Sequence, residues 1–143
     1  MKPIDPEDSV LENWRPGVQT RMLISAQNGA NQLCIFEQWV APDTGAPAHS
    51  HPVEEILTVL AGEAEVWMDE ARARLAAGQS VIVPAGRRHG FRNSGSGLCT
   101  CMRCWLHRFL KRCPKVPPCR SGGGRRFRNK FRGPCRPGPV SFV

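Results

Sequence analysis

Hydrophobic and polar positions alternate with a period of two over short stretches of this chain, and no long stretch carries a 3.6-residue period. The alternation is clearest where Ala64, Val66 and Met68 face one way and Glu63, Glu65 and Asp69 the other, one dry face and one wet. VQTRMLIS (18–25) and QLCIFEQWV (32–40) are rich in β-forming residues and flank Gln27-Asn28-Gly29, a turn signal. APDTGAP (41–47) reads as a loop. Further short strands follow as EEILTVL, EAEVWMD, RARL, QSVIVP and RRHGFRN, punctuated by Gly62, Asp69-Glu70, Ala77-Gly78 and the Pro84–Gly86 corner.

Short strands broken at intervals by Gly and Pro predict an all-β barrel or sandwich. The expected organisation is an irregular lead-in over 1–17, interrupted by Pro3, Pro6, Pro16 and Gly17, then a barrel over 18–106 and a separate tail over 107–143. There is no internal repeat, no phosphate-cradling glycine loop, no recognisable hydrolase arrangement of Ser and His, and no DNA-binding helix pair within 1–98.

One group of residues carries chemistry. His49 and His51 are two apart, so in one strand both side chains leave the same face; Glu55 shares that parity, as do Leu57 and Val59. The expectation is three donors pointing into the barrel from a single strand. Gly62 then permits a tight turn. Downstream run Gly78, Pro84, Gly86, His89 and Asn93, where Pro84 fixes φ and Gly86 allows φ > 0. Such a corner returns the chain so that His89 meets the first three donors from an adjacent strand.

GAPAHSHPVEEILTVLAG and GQSVIVPAGRRHGFRN resemble the two sequence motifs of the cupin superfamily. The nine fixed residues His49, His51, Glu55, Gly62, Gly78, Pro84, Gly86, His89 and Asn93, each at roughly 5% usage, coincide by chance on the order of 10⁻¹² per starting position. The chain departs from the family at Asp43, where a glycine is usual, and Gly45 is expected to take over its turn. The resemblance covers 18–98 and implies a double-stranded β-helix (jelly-roll) holding one divalent metal ion on His49, His51, Glu55 and His89.

Three imidazoles and a carboxylate suit Fe²⁺, Mn²⁺, Ni²⁺, Cu²⁺ or Zn²⁺ and do not choose among them. The resemblance implies dioxygenase, oxidase, isomerase or decarboxylase chemistry on a small polar molecule, or, in the competing class, a non-catalytic ligand-sensing module. Arg87, Arg88 and Arg92 flank His89 and are either a lure for an anionic substrate or, more simply, exposed strand-end charges. Phe36, Trp39 and Trp67 read as barrel core or as dimer surface, and a homodimer is expected. The segment MKPIDPEDSVLENW has no apolar run resembling a signal peptide, and no stretch approaches the roughly 18 apolar residues of a membrane span, so a cytoplasmic location is expected.

Charge and cysteine change the picture at the C-terminal end. Residues 1–98 hold all 12 acids and 8 Lys and Arg, a balance of 8 − 12 = −4; residues 99–143 hold 12 basic residues and no acid. Six of the seven cysteines fall there as well. Cys99-x-Cys101-x-x-Cys104 lacks the second CxxC of a zinc or iron–sulfur site. RRFRNKFR (125–132), with Phe127 and Phe131, has the make-up of a nucleic-acid arm, yet the Pro, Gly and Arg content favours disorder over a bound partner. A third reading is that the chain runs out of frame from about Leu98. Shifting the codons of LCTCMRCWL by one base yields an apolar alternation suited to a closing strand. As written, the same segment also alternates, but places Arg103 and several thiols in or beside the barrel.

Overall fold

The computed structural model describes Met1 and residues 3–106. After a short 3-10 turn (Pro6–Asp8) come ten strands: β1 (Leu11–Arg15), β2 (Val18–Ile24), β3 (Leu33–Val40), β4 (Gly45–His49), β5 (Glu55–Ala61), β6 (Glu63–Met68), β7 (Ala71–Ala76), β8 (Ser80–Val83), β9 (His89–Asn93) and β10 (Cys99–Leu106). They form two antiparallel sheets, one ordered β1-β2-β3-β10-β5-β8 and the other β4-β9-β6-β7. Both sheets supply the core. Val18, Val40, Leu57, Val59, Cys99 and Cys101 of the first meet Ala46, Ala64, Val66, Leu75 and Phe91 of the second. This is an all-β barrel, as the strand pattern predicts, in the jelly-roll form that the resemblance implies.

The alternation explains the burial. In β3, Cys34, Phe36, Gln38 and Val40 are buried while the residues between them are half-exposed. The period-2 pattern therefore turns one face of β3 inward along its whole length. Buried Gln38 is satisfied in part: its Nε2 donates to Thr20 Oγ1 at 2.9 Å across the β2–β3 pair, while its Oε1 has no hydrogen-bond partner.

Three expectations need correction. The lead-in is not wholly irregular: β1 pairs with β2 over Leu11–Arg15. Its side chains are largely exposed, so no apolar face marks it in the sequence. The loop over 41–47 ends early, because β4 begins at Gly45. Asp43, not Gly45, takes the left-handed turn, at φ 58°. Asp tolerates that region through local hydrogen bonding of its short side chain. Gly45 is required for a different reason: a Cβ there would lie 2.1 Å from the Phe91 carbonyl oxygen of β9.

The segment LCTCMRCWL, as written, forms the closing strand. β10 lies between β3 and β5, pairing with both along most of its length. Asn93 secures its approach. The buried Nδ2 donates to the Val40 and Gly97 carbonyls at 2.8 and 2.7 Å, and its Oδ1 accepts from Gly95 N–H at 2.9 Å. The chain beyond 106, including Phe127 and Phe131, lies outside the described residues.

Candidate metal centre

His49, His51, Glu55 and His89 come together, with one donor atom from each lying within 4.8 Å of the others. Among the described residues they are the one cluster of this kind. They do not come from a single strand, as their shared parity suggested. His49 ends β4, His51 sits in the turn that follows, and Glu55 opens β5 in the other sheet. Ser50-His51-Pro52-Val53-Glu54 crosses between sheets, so parity along it has no meaning; the donors converge because the crossover does. His89 opens β9 directly opposite His49, as the Pro84–Gly86 corner predicts. Gly86 has φ 79°, and its N–H donates to the His51 carbonyl at 2.8 Å, tying the corner to the crossover.

Each imidazole is aimed by its own backbone. The Nδ1 atoms of His49, His51 and His89 lie 2.8, 2.6 and 2.9 Å from the carbonyl oxygens of Pro47, Val53 and Arg87. A carbonyl can only accept, so each Nδ1 carries a proton, which leaves Nε2 as the atom each ring can offer to an ion. His51 Nε2 is 2.6 Å from Glu55 Oε2, and His89 Nε2 is 3.5 Å from the same oxygen. The His89 nitrogen is buried and has no hydrogen-bond partner. A 4.8 Å spread is close to the roughly 4.2 Å across an ion with bonds near 2.1 Å. The cluster suits a metal ion.

The electrostatics agree. Glu55 is 1% exposed. Burial would raise its pKa, but the charge of Arg103 and the hydrogen bond that Arg103 donates outweigh it and hold the carboxyl well below the usual range. Burial brings His49 down to about 4, helped by Arg103 and His89 and opposed by the Pro47 carbonyl and Glu55. It is therefore neutral, and able to ligate, at physiological pH.

Arg103 is the site residue that the motifs do not contain. It is 2% exposed, and its Nε donates to Glu55 Oε1. Its parity with inward-facing Cys99 and Cys101 was legible, but its meeting with Glu55 depends on β10 lying beside β5. By contrast, two of the arginines flanking His89 are engaged by surface carboxylates: Arg87 pairs with Asp69 and Arg92 with Glu65, half-exposed in both cases, while Arg88 is exposed. Cys99 and Cys101 point into the core while Cys104 lies on the opposite face, so the three thiols share no site. Phe36 is core, in ring contact with Trp14 and Trp105. Trp39 and Trp67 are partly buried against Arg21 and Arg72.

The fold and this cluster define a β-barrel with a donor set that suits a metal ion, and comparison with known proteins gives its family. Residues 36–104 match the family described as cupin domain. The chain belongs to the cupin superfamily. Among curated relatives, it is 30% identical over 103 residues to the HTH-type transcriptional regulator PuuR of Escherichia coli strain K12, covering 68% of this chain and 56% of that one. It thus spans about half the length of that relative. It is 36% identical over 90 residues to Protein SchB of Streptomyces halstedii, covering 62% of this chain and 65% of that protein. Two solved structures show the same fold. An RmlC-like cupin from Shewanella frigidimarina superposes with a TM-score of 0.65 at 20% identity, covering 75% of this chain and 92% of that one. The polyketide cyclase RemF from Streptomyces resistomycificus gives 0.64 at 23%, covering 74% and 79%. Among the described residues no helix is long and apolar enough to cross a membrane.

Proposed function

We propose that this chain is a metal-dependent cupin that holds one divalent ion on His49, His51, Glu55 and His89 and acts on a small polar molecule at that ion. The observation that carries this reading is the convergence of one donor atom from each of three histidines and a buried carboxylate to within 4.8 Å, with a backbone carbonyl at each Nδ1. Such an ion would supply Lewis acidity, or oxygen activation if it is iron or copper. The chain's own part is to fix the donors and to exclude water: Glu55 and His89 are buried, as is Phe91 on the strand that carries His89, and the Trp105 ring stands 5.3 Å from that of His51. Likeness to a polyketide cyclase supports enzymatic chemistry on a small organic substrate.

The match to a transcriptional regulator favours a second reading, a ligand-binding module without turnover. The two readings separate on metal dependence. An enzyme consumes oxygen or converts substrate with a particular ion. A binding module accepts several ions indifferently and gains about 2.7 kcal/mol of stability at a hundredfold excess of ligand over Kd. Metal indifference with ligand-dependent stabilisation and no turnover across a substrate panel contradicts the enzyme reading.

We place the protein in the cytoplasm, and infer a homodimer. An apolar row crosses the outer face of the larger sheet in register, through Ile24, Ile35, Cys104, Ile56 and Ile82. Ile56 and Ile82 are 41% and 58% exposed. Ile82→Glu is expected to convert a dimer into a monomer by light scattering; a wild-type monomer contradicts the inference.

A further inference from the structure

Arg103 lies on β10 in register with Phe36 of β3 and Leu57 of β5. Its guanidinium is ringed by Phe36, Phe91 and Trp105, 5.4, 5.6 and 5.5 Å from the ring centroids. Three aromatic faces and a carboxylate leave it little freedom, and a cation over aromatic rings is stabilised where water is excluded. It divides the ligand cluster in a particular way. Nε takes Glu55 Oε1, leaving only Oε2 toward His51 and His89. Nη2 stands 3.5 Å from His49 Nε2, on the lone pair that His49 would give to an ion.

The charges follow. Three neutral imidazoles contribute none, and Glu55 and Arg103 cancel. A divalent ion therefore keeps both its positive charges in a buried setting, where charges are poorly screened. Four ligands without the arginine would leave it only one.

We propose that Arg103 is a positioning residue for the ion: by engaging one oxygen of Glu55 and cancelling its charge, it weakens the hold on the metal and makes the loaded site selective for an anionic ligand. This rests on the metal reading above, and deepens it by naming the ligand class, a small carboxylate or other oxyanion that coordinates the ion.

The test is Zn²⁺ titration of the full chain after chelator treatment, for wild type, Arg103→Met and Arg103→Lys. Arg103→Met should bind Zn²⁺ tighter by about tenfold or more, the factor by which a neighbouring unlike charge shifts proton affinity at a carboxylate. Arg103→Lys keeps the charge and should stay near wild type, which a role confined to packing would not produce. With Co²⁺ as the ion, azide should perturb the visible spectrum at lower concentration in wild type than in Arg103→Met. Equal or weaker Zn²⁺ binding by a folded Arg103→Met overturns the proposal, as does azide affinity unchanged by the substitution. Should Arg103→Met fail to fold, the comparison moves to Glu55→Gln against Glu55→Gln with Arg103→Met, where removing the unpaired cation should again strengthen Zn²⁺ binding and no gain overturns the idea. A wild type that binds no Zn²⁺ defeats the metal reading itself; equal affinity across the variants defeats only the role of Arg103.

Discussion

His49 carries the clearest consequence at the scale of single residues. Its imidazole titrates at about 4, chiefly because burial penalises the charged ring. An unfolded chain takes up that proton near 6.5, so between 6.5 and about 4 the unfolded state binds more protons than the folded one. Stability of chelator-treated protein must therefore fall as pH drops through that window, and below the usual carboxylate range Glu55, held ionised by Arg103, adds a further loss. Urea midpoints measured from pH 7 downwards should show the decline, and His49→Gln should flatten its upper part; a midpoint that rises on acidification contradicts the assignment. The four cluster residues were legible because their spacing is so specific. Arg103 was not, because an arginine in an inward register reads as a defect until its carboxylate partner is known. The role of Asn93 was equally hidden: its three hydrogen bonds reach β3 and the loop before β10, neither of which its sequence neighbours reveal.

Among the elements, those with a strict apolar alternation were predicted closely, and β2, β3, β5 and β6 match their expected spans to within a residue or two. β1 and β4 were missed for lack of an apolar face; β4 contains Pro47 and has only Ala46 buried. β10 was the ambiguous one. Its position between β3 and β5 makes it the strand that joins the two halves of the larger sheet. Truncation after Leu106 should leave folding and metal content nearly unchanged, since every described strand is retained. Truncation after Asn93 removes two ladders and buried Cys99, Cys101 and Arg103, and should expose the barrel to proteolysis and lower its melting temperature sharply. A folded, metal-competent 1–93 fragment would contradict this topology. The out-of-frame reading begins at about Leu98 and so takes in β10, which as written pairs with both its neighbours; it requires a single-base insertion or deletion near the codons for Gly95 to Cys99 when the gene is sequenced alongside close relatives.

Taken whole, the molecule is two sheets closed over one core, with the ligand cluster where a crossover between sheets meets the first residue of β9. The fold was readable because its strands obey one period and its motifs fall at fixed intervals. What was not readable is how donors from β4, a crossover, β5 and β9 reach one point, since that depends on sheet order and not on local pattern. Everything proposed for the protein rests on a cation among the three lone pairs and Glu55. Elemental analysis of the full chain, dialysed against a mixture of divalent ions and then against buffer, tests this most directly. The donor set predicts about one divalent ion per chain in wild type and its loss in His49→Ala and in His89→Ala, with the β-sheet circular dichroism of each variant retained. Metal absent from the wild type, or a content that neither substitution changes, would contradict it.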